Sequence, residues 1–216
     1  MKKKILYTSL SLALAASAQA ATVAVGNSTP IYGATQGIAI DFDTTTGIAA
    51  DWTPDLSSST TYNINSVSVR ESNSVDADIY LVVYTGYDGT NLTGFQGAST
   101  NTVNFSSNTD GTLVTWNFAD GITVTPDSTA GGGAGVRYFV FQTGNTAEAT
   151  IHSNDYGIRR AADSFDNTLS AIMRNGQPAI NGRNPDYAAT ITPVPEPSSA
   201  ALLGLGGLAL ILRRRK

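Results

Sequence analysis

The chain has 216 residues, with 13 basic and 17 acidic side chains, one histidine and no cysteine. Without cysteine it has no disulfide framework, no thiol nucleophile and no thiolate metal site. The net charge of −4 is unsuited to nucleic acid, which is bound by Lys and Arg displacing counterions.

The N-terminus opens on Lys2, Lys3 and Lys4, followed by an apolar run over residues 5–16. Ala18-Gln19-Ala20 then fits a small-x-small cleavage site, with Ala21 as the mature start. This order predicts a secretory signal peptide over residues 1–20, removed by signal peptidase. The run is too short for a membrane-spanning helix.

From residue 21 to 191 the pattern is that of strands. Ile38, Ile40 and Phe42 alternate with smaller or polar residues, so they share one face. Residues 62–70 alternate too, but the apolar parity shifts between Ile64 and Val67, which predicts a β-bulge. Residues 78–84 carry Ile79, Leu81 and Val83 on one side and Tyr80, Val82 and Tyr84 on the other. Both faces are apolar, as in a central strand. Val114, Trp116 and Phe118 face one way, and Trp116 reads as core. Residues 136–141 form a second strand apolar on both faces, and residues 187–191 form the last. Asp88-Gly89, Asp110-Gly111 and Asp120-Gly121 punctuate these runs as turns. Gly131-Gly132-Gly133-Ala134-Gly135 reads as a flexible loop. Residues 153–186 are polar with weak periodicity, which fits a long functional loop or a short helix over 167–173.

Seven to ten strands at this spacing predict an all-β fold, an antiparallel two-sheet β-sandwich with jelly-roll topology. It is flanked by the signal peptide and a C-terminal hydrophobic helix. Residues 192–199 are a proline- and serine-rich spacer. Residues 200–212 have no polar side chain and stop at Arg213-Arg214-Arg215-Lys216. A helix there satisfies its own backbone in lipid, and the basic cluster stays in the cytoplasm. Thirteen residues rise only about 20 Å, against a hydrocarbon core of about 30 Å. The segment suits transient insertion in the inner membrane better than permanent anchoring.

Pro195, Glu196 and Pro197, the apolar run and the basic end resemble a PEP-CTERM sorting signal in order, spacing and position. The resemblance covers about a tenth of the chain. It implies recognition and cleavage near the motif by an exosortase, a membrane-embedded transpeptidase of the cysteine-protease kind. It also implies an exported protein of a Gram-negative-type bacterium, placed on the cell envelope surface or outside the cell and tied to exopolysaccharide and biofilm. The middle of the chain is similar, more loosely, to the jelly-roll ectodomains of such proteins, a likeness that supplies no activity.

Removing both ends leaves, over residues 21–194, six arginines, no lysine and sixteen acids. The exported part therefore carries a net charge of about −10, and its roughly 170 residues are enough for one core without staples.

Chemistry-bearing patterns are few. His152, the only histidine, is expected to be structural or exposed. No serine lies in a G-x-S-x-G elbow. Carboxylate pairs could serve a glycosidase, but sixteen acids make such pairs by chance. Asp41-x-Asp43 and Asp76-x-Asp78 each put two carboxylates on one side of an extended chain, a pattern open to Ca2+ or to solvated, turn-capping aspartates. Tyr87, near Tyr84 and Phe95, and Tyr156, near Arg159 and Arg160, are candidates for stacking against a sugar ring. The reading is a non-catalytic exported surface or matrix protein. A carbohydrate-binding module and a secreted glycan-active enzyme are the alternatives.

Overall fold

The computed structural model describes residues 19–25, 28–30, 35–42, 44, 52–72, 75–87, 91–105, 111–128, 134–147, 157–161, 170–174, 177–179 and 185–195. The expected signal peptide up to Ala18, the 131–133 glycines, His152, Tyr156, Asp43, the 200–212 segment and the basic end lie outside them. Gln19–Val194 forms one compact unit.

The described residues contain fourteen strands and no helix. All pairings are antiparallel. The five-stranded sheet runs β1 (Ala21–Val25), β14 (Tyr187–Pro193), β4 (Tyr62–Arg70), β8 (Leu113–Asn117), with β9 (Thr123–Val124) also on β4. The seven-stranded sheet runs β13 (Gln177–Ala179), β12 (Ser170–Arg174), β3 (Gly37–Asp41), β10 (Val136–Gln142), β5 (Val75–Tyr87), β6 (Leu92–Ala98). Here β7 (Val103–Phe105) also pairs with β5, while β2 (Ser28–Pro30) and β11 (Arg159–Ala161) form a separate pair.

The core forms because the alternating residues of both sheets turn toward each other. Ile64, Val67, Val69, Trp116, Tyr187, Ala189 and Ile191 come from the smaller sheet; Ile38, Ile40, Ile79, Leu81, Val83, Phe139, Phe141 and Ile172 come from the larger. Each Val, Leu, Ile or Phe buried there contributes about 1.5–3 kcal/mol. The parity shift in β4 is a bulge: Ser66 pairs with Thr190 and Ile64 with Ile191, so Asn65 is the extra residue. That single insertion lets Ile64 and Val67 both face the core.

β5 and β10 are central, as their apolar faces require, since β10 pairs with β3 and β5, and β5 with β10 and β6. Their outer residues form a second cluster of Val82, Tyr84, Val140 and Met173, with Tyr80, Leu92, Ala98 and Tyr138 packed on it.

The structure corrects the expected loop or helix over 153–186. Residues 170–173 are strand, and β12 pairs with β3. Adjacent Ile172 and Met173 bury on opposite faces, one in each cluster, which a strand does and a helix does not. The strands also outnumber the expected seven to ten, because short pieces such as β7 and β9 carry too few apolar residues to be read. The last strand runs to Pro193, through the first two residues of the expected spacer.

Candidate functional site

The outer face of the larger sheet carries a row of aromatic rings. Register places Tyr138 of β10 opposite Tyr84 of β5, and Tyr84 opposite Phe95 of β6. The Tyr84 and Phe95 rings meet edge-on at 5.9 Å. Tyr87, at the end of β5, lies 6.2 Å from Tyr138 at a tilt of 50°. Such pairs are worth about 0.5–1.5 kcal/mol beyond their burial.

The members differ in access. Tyr84 is buried; its hydroxyl accepts from Gln142 Nε2 at 3.0 Å and donates to the Ala147 carbonyl at 3.3 Å. It therefore serves as the floor. Tyr87 and Tyr138 are half-buried, and Phe95 is 41% exposed. Tyr84 and Tyr87 sit in β5 and Phe95 in β6, which pair with each other. Tyr138 was not among the expected residues. Its run reads as core, and only the register with β5 brings it beside Tyr87. Burial, then the charge of Asp41, raises the Tyr138 phenol above its usual range.

Arg159 is elsewhere. It lies in the β2–β11 pair, with its guanidinium over Gly111, where a Cβ would stand 3.3 Å from Cζ. Gly111 has φ +89°, a conformation in which glycine is favoured. Nearby, Arg70 Nε lies 3.3 Å from Asp186 Oδ2, and Arg70 Nη1 donates to the Gly111 carbonyl at 2.9 Å. The Asp186 amide donates to the Arg159 carbonyl, and the backbone of buried Glu71 pairs with that of Ile158 in a single antiparallel bridge. One ion pair and these backbone contacts together tie four distant segments. Its members are too far apart in sequence to be read as one group.

The acidic pairs part company. Asp41 is buried at the end of β3, beside Gly135 and Tyr138. Asp76 and Asp78 are exposed, and a register shift in β5 lies between Val75 and Asp78. Asn104 Nδ2 donates to both, at 3.0 and 3.4 Å. One amide donor is thus shared by the two carboxylates, which stand on the same exposed edge of β5. Among the described residues no cluster of three or more His, Cys, Asp or Glu is placed to hold a metal.

Arg137 is a buried cation held by backbone. Its Nε donates to Gln96 Oε1 and the Thr123 carbonyl at 3.1 Å each, Nη2 to Thr123 at 3.0 Å, and Nη1 to the Ala134 and Val136 carbonyls at 2.7 and 2.8 Å. Burial lowers its pKa from the usual value.

The two ends of the unit lie side by side. Ala21, the expected mature start, pairs with Ile191 and is buried; Ala20 is half-buried. The chain leaves β14 through Val194, whose N–H donates to the Thr61 carbonyl at 2.8 Å, and Pro195 is exposed. Glu196, Pro197 and residues 213–216 lie outside the described residues. No described helix is long and apolar enough to cross a membrane.

No curated protein and no solved structure matches the chain. A family model described as the PEP-CTERM protein-sorting motif matches residues 193–216. The chain thus ends in a PEP-CTERM protein-sorting motif, the mark of an exosortase-sorted extracellular protein.

Proposed function

We propose that this chain is a non-catalytic surface or matrix protein of a Gram-negative-type bacterium, delivered through its tail and associated with exopolysaccharide or biofilm. Signal peptidase removes the leader, the tail inserts transiently in the inner membrane, and an exosortase releases the jelly-roll ectodomain. The match over residues 193–216 carries this reading. The acidic charge of the exported part fits a soluble extracellular product. The mass of the mature protein from cells with and without the exosortase tests it. An intact tail in both removes the sorting reading.

A carbohydrate-binding role is the second reading, favoured by the aromatic row. Tyr87, Tyr138 and Phe95 offer half-open rings over the buried Tyr84. Flat rings of this kind stack on the apolar face of a sugar. Retention on polysaccharide tests this role, and a glycan-active enzyme would instead release product.

A further inference from the structure

Both expected processing points stand at one end of one strand pair. β1 and β14 are antiparallel neighbours, with Ala21 opposite Ile191 and Val25 opposite Tyr187. Ala21 therefore lies about 5 Å from Ile191, one strand spacing, and β14 ends two residues further on, at Pro193. Neither point has slack. Thr22 is held by a bridge to Thr53, each N–H donating to the other's carbonyl at 3.0 and 2.8 Å. At the other end Pro193 still pairs with Tyr62, and Val194 donates to Thr61. Thr61 is fixed in turn, its Oγ1 lying 3.0 Å from Thr125 Oγ1. The Pro195-Glu196-Pro197 tripeptide begins at the next residue, inside the 193–216 match.

A protease needs several consecutive residues free of pairing and extended in its cleft, and nicking concentrates where chain is exposed and unpaired. Here Pro193 ends a sheet strand and Val194 is hydrogen-bonded to Thr61, directly before the Pro-Glu-Pro tripeptide. We infer that the folded sandwich gates its own sorting. The Val194–Thr61 hydrogen bond and the Pro193–Tyr62 rung hold the upstream side of the motif against the sheet. The exosortase must meet this end of the domain and open that last rung before the tail can be cut. Opening the end of a strand is the least costly local unfolding a sheet offers, so the gate slows processing without forbidding it. The cut itself breaks one peptide bond; the acyl half passes to water or another nucleophile, and the amine leaves with the tail.

The inference rests on the exosortase reading, and one experiment separates the two. Full-length chains are followed by pulse-chase in cells with and without the exosortase, and tail loss is read by mass. One variant carries six Gly/Ser residues between Val194 and Pro195. A second, Val194→Pro, removes the N–H that donates to Thr61. Both are expected to lose the tail at least threefold faster than the parent. Equal or slower rates in the spacer variant overturn the gate while leaving exosortase sorting intact. A parent chain that keeps its tail with the exosortase present overturns the sorting reading, and the gate with it.

Discussion

The indole Nε1–H of Trp116 donates to the carbonyl oxygen of Ile79 at 2.9 Å, which hydrogen-bonds a side chain of one sheet to the backbone of the other. Trp116 is fully buried, stacked on Phe141 at 5.5 Å and tilted against Phe105 at 5.8 Å. Apolar packing between two sheets has no direction of its own, and this bond supplies one.

Trp116→Phe should therefore cost about 2–4 kcal/mol, from the void left by the smaller ring and from the acceptor that loses its donor. Urea unfolding of residues 21–194 checks it. The midpoint should fall with an unchanged slope. A loss below about 0.5 kcal/mol would show that the indole is not holding the sheets together.

Arg137→Met should destabilise the fold by about 2 kcal/mol, because the carbonyls of Thr123, Ala134 and Val136 lose their shared donor. Arg137→Lys should recover little, since one ammonium cannot reach carbonyls arranged around a planar fork. Hydrogen exchange should locate the loss at residues 134–136, where the guanidinium holds the start of β10.

Tyr138 makes stability fall in alkali. Burial, then Asp41, raises its pKa above 10.0 in the folded protein. Between the unfolded and folded pKa values the native state holds the proton that the unfolded chain has lost. The contribution is complete below about pH 10 and disappears as pH rises through the folded pKa. Tyr138→Phe should flatten the fall in stability above pH 10 relative to the parent, and Asp41→Asn should reduce it in part. Parallel pH curves for parent and Tyr138→Phe would refute the assignment.

If the aromatic row holds sugar, Tyr87→Ala should lose most of its retention on the cognate polysaccharide, and Tyr138→Ala should do likewise. A base-to-aromatic stack is worth about 1–3 kcal/mol per ring, and a sugar face should give a similar or smaller contribution. Arg159→Ala, in a different sheet, should retain binding. Unchanged retention in Tyr87→Ala would move the site elsewhere.

What could be read in advance followed from local periodicity. β5 and β10 are legible because Ile79–Tyr84 and Phe139–Phe141 are apolar on both faces, and the β4 bulge because Ile64 and Val67 break parity. β6 is not, since its Leu, Thr, Gly, Phe, Gln, Gly, Ala run has little apolar alternation and Phe95 is exposed. β12 is hidden because Ile172 and Met173 stand together among polar neighbours and divide between two clusters. Tyr87 was visible as an aromatic beside a turn. Its partner Tyr138 was not, because only strand pairing brings together residues 51 positions apart. The Arg70–Asp186 ion pair is likewise a product of topology.

The pairing of Ala21 with Ile191 spans 170 positions. Among the described strands, the first in chain order has to wait for the last. A chain arrested anywhere before residue 187 offers β1 no partner on that side and leaves Ala21 and Val23 without their place in the core. This side of the sheet is therefore built only in a chain that reaches its 187–191 segment, and the outermost strand is the one that waits longest for its partner.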